Sequence, residues 1–342
     1  MRGGTRMARI CAGWGLGVCL GIGLMGVRSM PQQRWTVSVA VPTSVAVRIA
    51  DAHLTLAVAQ TERGRVRWWT EGQPGWIFEF PRPVGIGLDT KGRLWVGDAA
   101  LDAVWVIEQT AHRLIGRCMY APQLWDHPVD FAFAGDRVFV VDGASGHVVT
   151  GTADGDWWIL LNGLHTPTAV AVLPDRIMGY RLFVTEQGVA SAFQRNLPVV
   201  RMYRTDLHRT VLETEYGRKI LEFPVAIVVS DRWLDVLDGH LAQVLRFDMV
   251  TGRLIGKTGG YGTGWFYWRN PSDMVSEGPI RVIADTGNNR LTVDGWRYAP
   301  GLPTVFWDTA RTVRWMQCRD RKIEFPGDRN AHSAWRMFPS EK

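Results

Sequence analysis

The sequence predicts an all-β fold: a six-bladed β-propeller of four-stranded antiparallel blades, behind an N-terminal signal or anchor segment. Three observations carry the prediction. A strand–turn–strand–acid–turn–strand segment recurs six times, starting at Pro42, Pro83, Pro128, Pro167, Pro224 and Pro271. The spacings are 41, 45, 39, 57 and 47 residues, the length that four short strands and their turns need. The apolar runs inside each copy are about five residues long, too short for helices and suited to strands buried on both faces.

Residues 1–29 come first and differ in kind from the repeats. Arg2, Arg6 and Arg9 lead into Cys11 to Val27, seventeen residues without a charge, and polarity returns at Arg28. Basic, then apolar, then polar is the order of a secretory signal or of an uncleaved membrane anchor over about residues 10–27. Six glycines in the apolar run argue against a buried core helix. Val27 and Ser29 are small enough for a peptidase site before Met30, whereas Val18 is bulky for a lipobox before Cys19. On either reading the body is expected outside the cytoplasm, periplasmic or secreted, and on the anchor reading it is tethered to the membrane. Without the leader, residues 31–342 hold 35 basic against 33 acidic side chains, a net of +2. A nearly neutral body lacks the concentrated basic surface that nucleic acid rewards, so no nucleic-acid partner is expected.

The body, residues 30–325, repeats one physical plan. In PVGIGLDTKGRLWVGDAALDAVWVI (83–107), Pro83 opens the first strand, where its missing N–H costs least. Val84 to Leu88 runs to a polar turn at Thr90-Lys91-Gly92, and Leu94 to Val96 forms the second strand. An acid closes that strand in five copies: Asp98, Asp142, Glu186, Asp238 and Asp285. Val104 to Ile107 makes the third strand, and Leu114 to Cys118 or Arg253 to Lys257 the fourth. Closing six such blades into a ring leaves no long bare sheet edge.

The remaining segments fit around this ring. Either Trp35 to Val39 or Thr304 to Trp307 is expected to complete the other terminus's blade and close it. The wide gap between Pro167 and Pro224 holds RTDLHRTVLETEYGRK (204–219), which reads as an extended loop, and residues 326–342 read as a polar tail. Cys118 and Cys318 are the cysteines outside the leader; they are free to pair in an oxidising compartment or to stay as separate buried thiols. Most of the seventeen Trp are expected to pack between blades, since neighbours such as Trp68-Trp69 or Trp157-Trp158 face opposite sides of a strand.

The last copy carries a resemblance. GGYGTGWFYWRNPSDMV followed by RVIADTGNNRLTV (259–275 and 281–293) resembles an NHL repeat, with its Gly-x-Gly lead, aromatic, Pro and Ala-Asp-x-Gly-Asn-x-Arg signature. The copies at Pro83, Pro128 and Pro224 keep the strand–acid–strand frame without the Asn and Arg. The resemblance spans about residues 40–294 and implies a six-bladed NHL-type propeller, a fold that hosts unrelated functions.

Candidate chemistry gathers where the first strand starts and the acid ends the second. Residues preceding each Pro pair there with the acids: Arg82 with Asp98, His127 with Asp142, Thr166 with Glu186, Phe223 with Asp238, Asn270 with Asp285. Because the acid recurs in nearly every blade, its expected work is structural, accepting backbone N–H bonds in its own turn. Propellers resembling the peptidyl-amidoglycolate lyases imply zinc held by histidines from several blades, yet only His127 holds that slot, with His165 one residue further out and His240 elsewhere. Lactonase-like propellers imply a divalent cation, Ca or Zn, on Glu, Asn and Asp of the channel. Asp130 and Asp273, each two residues after its Pro where other blades hold Gly85, Ala169 and Ala226, are the metal candidates. Asp130, Asp273, Asn270, His127 and Arg82 are therefore the candidate ligand-binding residues. With no complete catalytic set in view, the reading is a binding or scaffolding module for a protein or glycan partner. The alternative is a cation-dependent hydrolase or lyase, lactonase-like or amidoglycolate-lyase-like, at the channel mouth.

Overall fold

The computed structural model describes residues 34–51, 53–71, 73, 75–110, 113–190, 195–294, 311–314, 322–326 and 336–337. The leader, the Thr304–Trp307 alternative, Cys318 and most of the tail lie outside them. Blade I is Ser44–Ala50, His53–Gln60, Arg65–Thr70 and Trp76–Glu79. Blade II is Pro83–Leu88, Leu94–Asp98, Ala103–Gln109 and Arg113–Tyr120. Blade III is Pro128–Ala134, Arg137–Asp142, His147–Thr152 and Gly155–Leu161. Blade IV is Pro167–Asp175, Gly179–Glu186, Val199–Thr205 and Thr210–Tyr216. Blade V is Pro224–Val229, Trp233–Asp238, Gln243–Asp248 and Leu254–Gly259. Blade VI is Asp273–Glu277, Ile280–Asp285 and Arg290–Asp294, with Arg34–Ser38 as its outer strand. The N-terminal strand thus closes the ring, Arg34 opposite Asp294 and Ser38 opposite Arg290.

These registers define two faces. Pro128 lies opposite Asp142, and Asp142 opposite His147, so inner strands begin and second strands end on one face, the mouth face. The hairpin turns joining first to second and third to fourth strands lie on the other, the turn face. The core consists of apolar layers between neighbouring blades. Trp95, Val104, Trp125, Phe131 and Val140 fill the space between blades II and III. Val37, Val58, Val282 and Leu291 fill the closing seam between VI and I. Trp packs as expected: Trp68 and Trp69 are both buried, against layers on opposite sides of blade I.

Two features depart from the sequence reading. The stretch 204–219 is largely the outer hairpin of blade IV rather than a loop. Its polar look has a simple cause: an outer strand shows one face to water, and Leu212, Glu213 and their neighbours are exposed accordingly. The extra residues lie earlier, around the small hairpin Val189–Ala190 and Arg195–Asn196. C-terminal segments also extend two blades. Arg311–Arg314 adds to blade I in parallel, and Lys322–Pro326 adds to blade II with Arg336–Met337, from within the tail, beyond it. Cys118, in the outer strand of blade II, is disulfide-bonded to a partner outside the described residues.

Candidate functional site at the channel mouth

The acids that close the second strands are fully buried, and most of their oxygens accept hydrogen bonds from neighbouring turns or an arginine. Asp142 accepts the N–H groups of Asp126 (2.7 Å), His127 (2.6 Å) and Ser145 (2.7 Å). Asp238 does the same for Glu222, Phe223, His240 and Leu241. Glu186 accepts from His165 N–H at 2.7 Å and meets Arg201 at 2.6 Å. Gln60 stands in this position in blade I, 1% exposed. Asp98 is the outlier: its Oδ1 accepts Arg82 and Ala100 N–H, its buried Oδ2 has no partner, and burial raises its pKa. Five residues on, where blade VI has Arg290 to meet Asp285, blade II has Ala103.

One register position further in, the inner strands crowd the channel. A β-carbon at Gly85 would stand 2.2 Å from the Val129 carbonyl oxygen, which explains the small residues in this slot. The inner strand also has a free edge, whose N–H groups need acceptors. Asp130 supplies them in blade III: Oδ2 accepts Val170 N–H of blade IV at 2.8 Å, and Oδ1 accepts its own neighbour Phe131 N–H at 2.8 Å. Asp273 does the same in blade VI, taking Val45 N–H of blade I at 2.8 Å and Met274 N–H at 2.7 Å. Ser44, in the same slot of blade I, donates to Asp273 Oδ2 at 2.8 Å and accepts Ile86 N–H of blade II at 3.3 Å. Polar slot residues are therefore interblade clasps. Sequence reading singled out both aspartates but passed over Ser44, whose signal was its place two residues after Pro42.

Asp130 and Asp273, three blades apart on a six-bladed ring, both line a mouth-side chamber of about 290 Å³ and a turn-side chamber of about 340 Å³. Burial pushes both carboxyl groups up, Asp273 to about 6, and the Asp273 charge raises Asp130 further. His127 lines the mouth-side chamber, and burial, then the Arg82 charge, hold its imidazole below its usual range. Arg82 is exposed on the mouth face, while Asn270, exposed with φ +47°, is not among the residues lining either chamber. The structure thus brings Asp130, Asp273 and His127 to one chamber and leaves Arg82 and Asn270 outside it.

A divalent cation fits this donor set poorly. Each carboxylate oxygen already accepts an amide, the surroundings favour the protonated acids, and hard cations want six or more oxygens. Among the described residues no three His, Cys, Asp or Glu side chains are grouped to hold a metal.

The mouth face carries a second feature, the loop 260–268 between blades V and VI. Tyr261, Trp265, Phe266 and Tyr267 are 64, 49, 37 and 51% exposed. Arg290, bound to Asp285 at 2.6 Å, donates to the carbonyls of Thr263, Gly264 and Tyr267, and Asn288 donates to Gly262. Trp268 is buried beneath and donates to Thr292 at 3.1 Å. Gly260, Gly262 and Gly264 let the Tyr267 side chain lie over the loop, since a β-carbon on each would stand 3.0–3.3 Å from that side chain. Arg269 covers Tyr261, its guanidinium 5.5 Å from the ring centre. The Asn and Arg of the blade VI signature are what brace this platform.

No protein-family profile matches the chain, and no curated protein matches it in sequence. Solved structures share its fold. A chain of a nidogen/laminin complex matches with TM-score 0.54 and 16% identity over 70% of this chain and 88% of that one. Virginiamycin B lyase from Staphylococcus aureus matches at 0.55 and 13%, over 78% and 99%. A gluconolactonase from Xanthomonas campestris matches at 0.53 and 16%, over 77% and 89%. At these identities the likeness establishes the six-bladed propeller, a fold that serves binding proteins and enzymes alike.

Proposed function

We propose that the chain is an extracytoplasmic, NHL-like propeller that binds a protein or glycan partner through its mouth face. The braced aromatic loop carries this reading. Four large rings exposed within seven residues exceed the scattered apolar side chains of an ordinary surface, and they are held in place before any partner arrives. Trp, Tyr and Arg are the side chains that anchor protein interfaces, and flat exposed rings also suit sugars. The nidogen/laminin complex is a precedent for protein binding by this fold. The leader and the disulfide at Cys118 support an oxidising, extracytoplasmic setting. The test is affinity capture with the full chain against its Trp265→Ala/Tyr267→Ala variant. Loss of a saturable partner in the variant supports the proposal; equal capture by both refutes it.

A second reading, a hydrolase or lyase at the mouth, draws on the two raised carboxyl groups beside His127 in one chamber. Elemental mass spectrometry of the dialysed protein tests its cation-dependent form. A stoichiometric divalent ion that disappears in Asp130→Ala and Asp273→Ala would favour it over the binding module.

A further inference from the structure

The turn-side chamber of the channel is left unused by the mouth-face reading. At about 340 Å³ it falls in the size range of small-molecule pockets. Asp130 and Asp273 stand at its inner end, where it meets the mouth-side chamber. Its walls are apolar: the third and fifth residues after each blade's proline are Val, Ile, Leu, Phe or Met, apart from Ser276. Arg48 of blade I and Glu277 of the adjoining blade VI line it near the turns. Glu277 ends its strand opposite Ile280, four residues from Asp273 and so about 13 Å further along. Both acids reach into the chamber, so the gap between their carboxyl groups is shorter than this.

The two rim charges do not satisfy each other. Arg48 Nη1 donates to the Asp89 carbonyl of blade II at 2.8 Å, which fixes the guanidinium, and its other N–H groups meet no acceptor among the described residues. The Glu277 carboxyl accepts no hydrogen bond and forms no ion pair among them; burial pushes it up, and the Arg48 charge draws it only part of the way back. An anion beside Arg48 and a cation beside Glu277 would complete both groups.

The inner end also has room for a donor. Asp130 accepts the amides of Phe131 and Val170, and Asp273 accepts those of Met274 and Val45 together with the Ser44 hydroxyl. A carboxylate offers about four acceptor sites, so about three remain on the pair, the number of N–H donors on one ammonium group. A single positive charge there would also offset the repulsion by which Asp273 acts on Asp130. The set that is too small for a hard divalent ion therefore suits an ammonium.

We propose that the turn-side chamber binds a free diamino acid of the lysine type. Its α-carboxylate meets Arg48, its α-ammonium Glu277, its methylenes the apolar walls, and its distal ammonium the Asp130–Asp273 pair. A plain diamine leaves Arg48 unanswered, and an apolar amino acid leaves the aspartates so.

Calorimetric titration of the full chain with lysine, cadaverine and norleucine tests the assignment, because cadaverine lacks the carboxylate and norleucine the distal ammonium. Lysine is expected to bind one per chain and about tenfold or more tighter than either analogue. Glu277→Gln removes no hydrogen bond of the protein, so it should weaken lysine about tenfold without lowering the unfolding midpoint. Arg48→Gln should erase the preference for lysine over cadaverine. The Trp265→Ala/Tyr267→Ala variant should bind lysine unchanged, which separates this site from the mouth face. No binding at millimolar lysine, equal affinity for the three compounds, or equal affinity of the wild type and Glu277→Gln overturns the proposal.

Discussion

At the scale of single residues, Asp130 and Asp273 show how one side chain type can invite two accounts. Sequence marked them because they break a run of small residues. It could not show that each reaches the N–H at the third position after the neighbouring blade's proline, because that contact joins residues forty or more than two hundred positions apart. Removing the Asp273 acceptor should leave Val45 and Met274 amides unpaired: Asp273→Ala is expected to cost about 2–4 kcal/mol in urea unfolding. Titration gives a second prediction. Burial raises the folded-state pKa of Asp273 from 3.8 to about 6, so the folded chain holds protons that the unfolded chain has released in that range. This contribution is complete below about pH 3.8 and is lost as pH rises towards 6, by at most about 3 kcal/mol. Asp130, raised by burial and by Asp273, works in the same direction. Denaturation midpoints should therefore include a loss between pH 4 and 7 that is smaller in Asp130→Asn; an identical pH profile in the variant would argue against the coupled pair.

At the scale of elements, the strand frame was legible because its cues are local. Prolines open four inner strands as expected, at Pro83, Pro128, Pro167 and Pro224, while in blades I and VI the strand starts at Ser44 and Asp273. Blade IV was misread because Thr210–Tyr216, an outer strand, buries few of its side chains and carries little apolar signal. The platform at 260–268 was visible as an aromatic run, but its bracing by Arg290 needed the fold. Arg290→Ala is expected to cost about 3–5 kcal/mol, since it strands the buried Asp285 charge, and to speed amide exchange throughout 260–268. Trp265→Ala, at a half-exposed ring, should change stability by about 0.5 kcal/mol or less while abolishing partner capture.

At the scale of the whole molecule, the six-bladed ring followed from the repeat count, while the choice of closing strand did not, because two terminal segments had equal claims. Arg34–Ser38 fills the place, with Val37 and Val39 buried in the closing seam. A chain lacking residues 1–39 should expose the edge of Arg290–Asp294 and self-associate in size-exclusion chromatography, whereas one lacking residues 1–29 should retain the ring. Function was less legible than fold, because partner recognition depends on which strand ends and loops the ring gathers on one face. The most direct test places a photo-crosslinking benzophenone at Phe266 of the full chain in its native host, with Val211 on the outer rim as the control position. The account predicts a dominant adduct at 266 that Trp265→Ala removes. Adducts equal at 211 and 266, or persisting unchanged in Trp265→Ala, would contradict it.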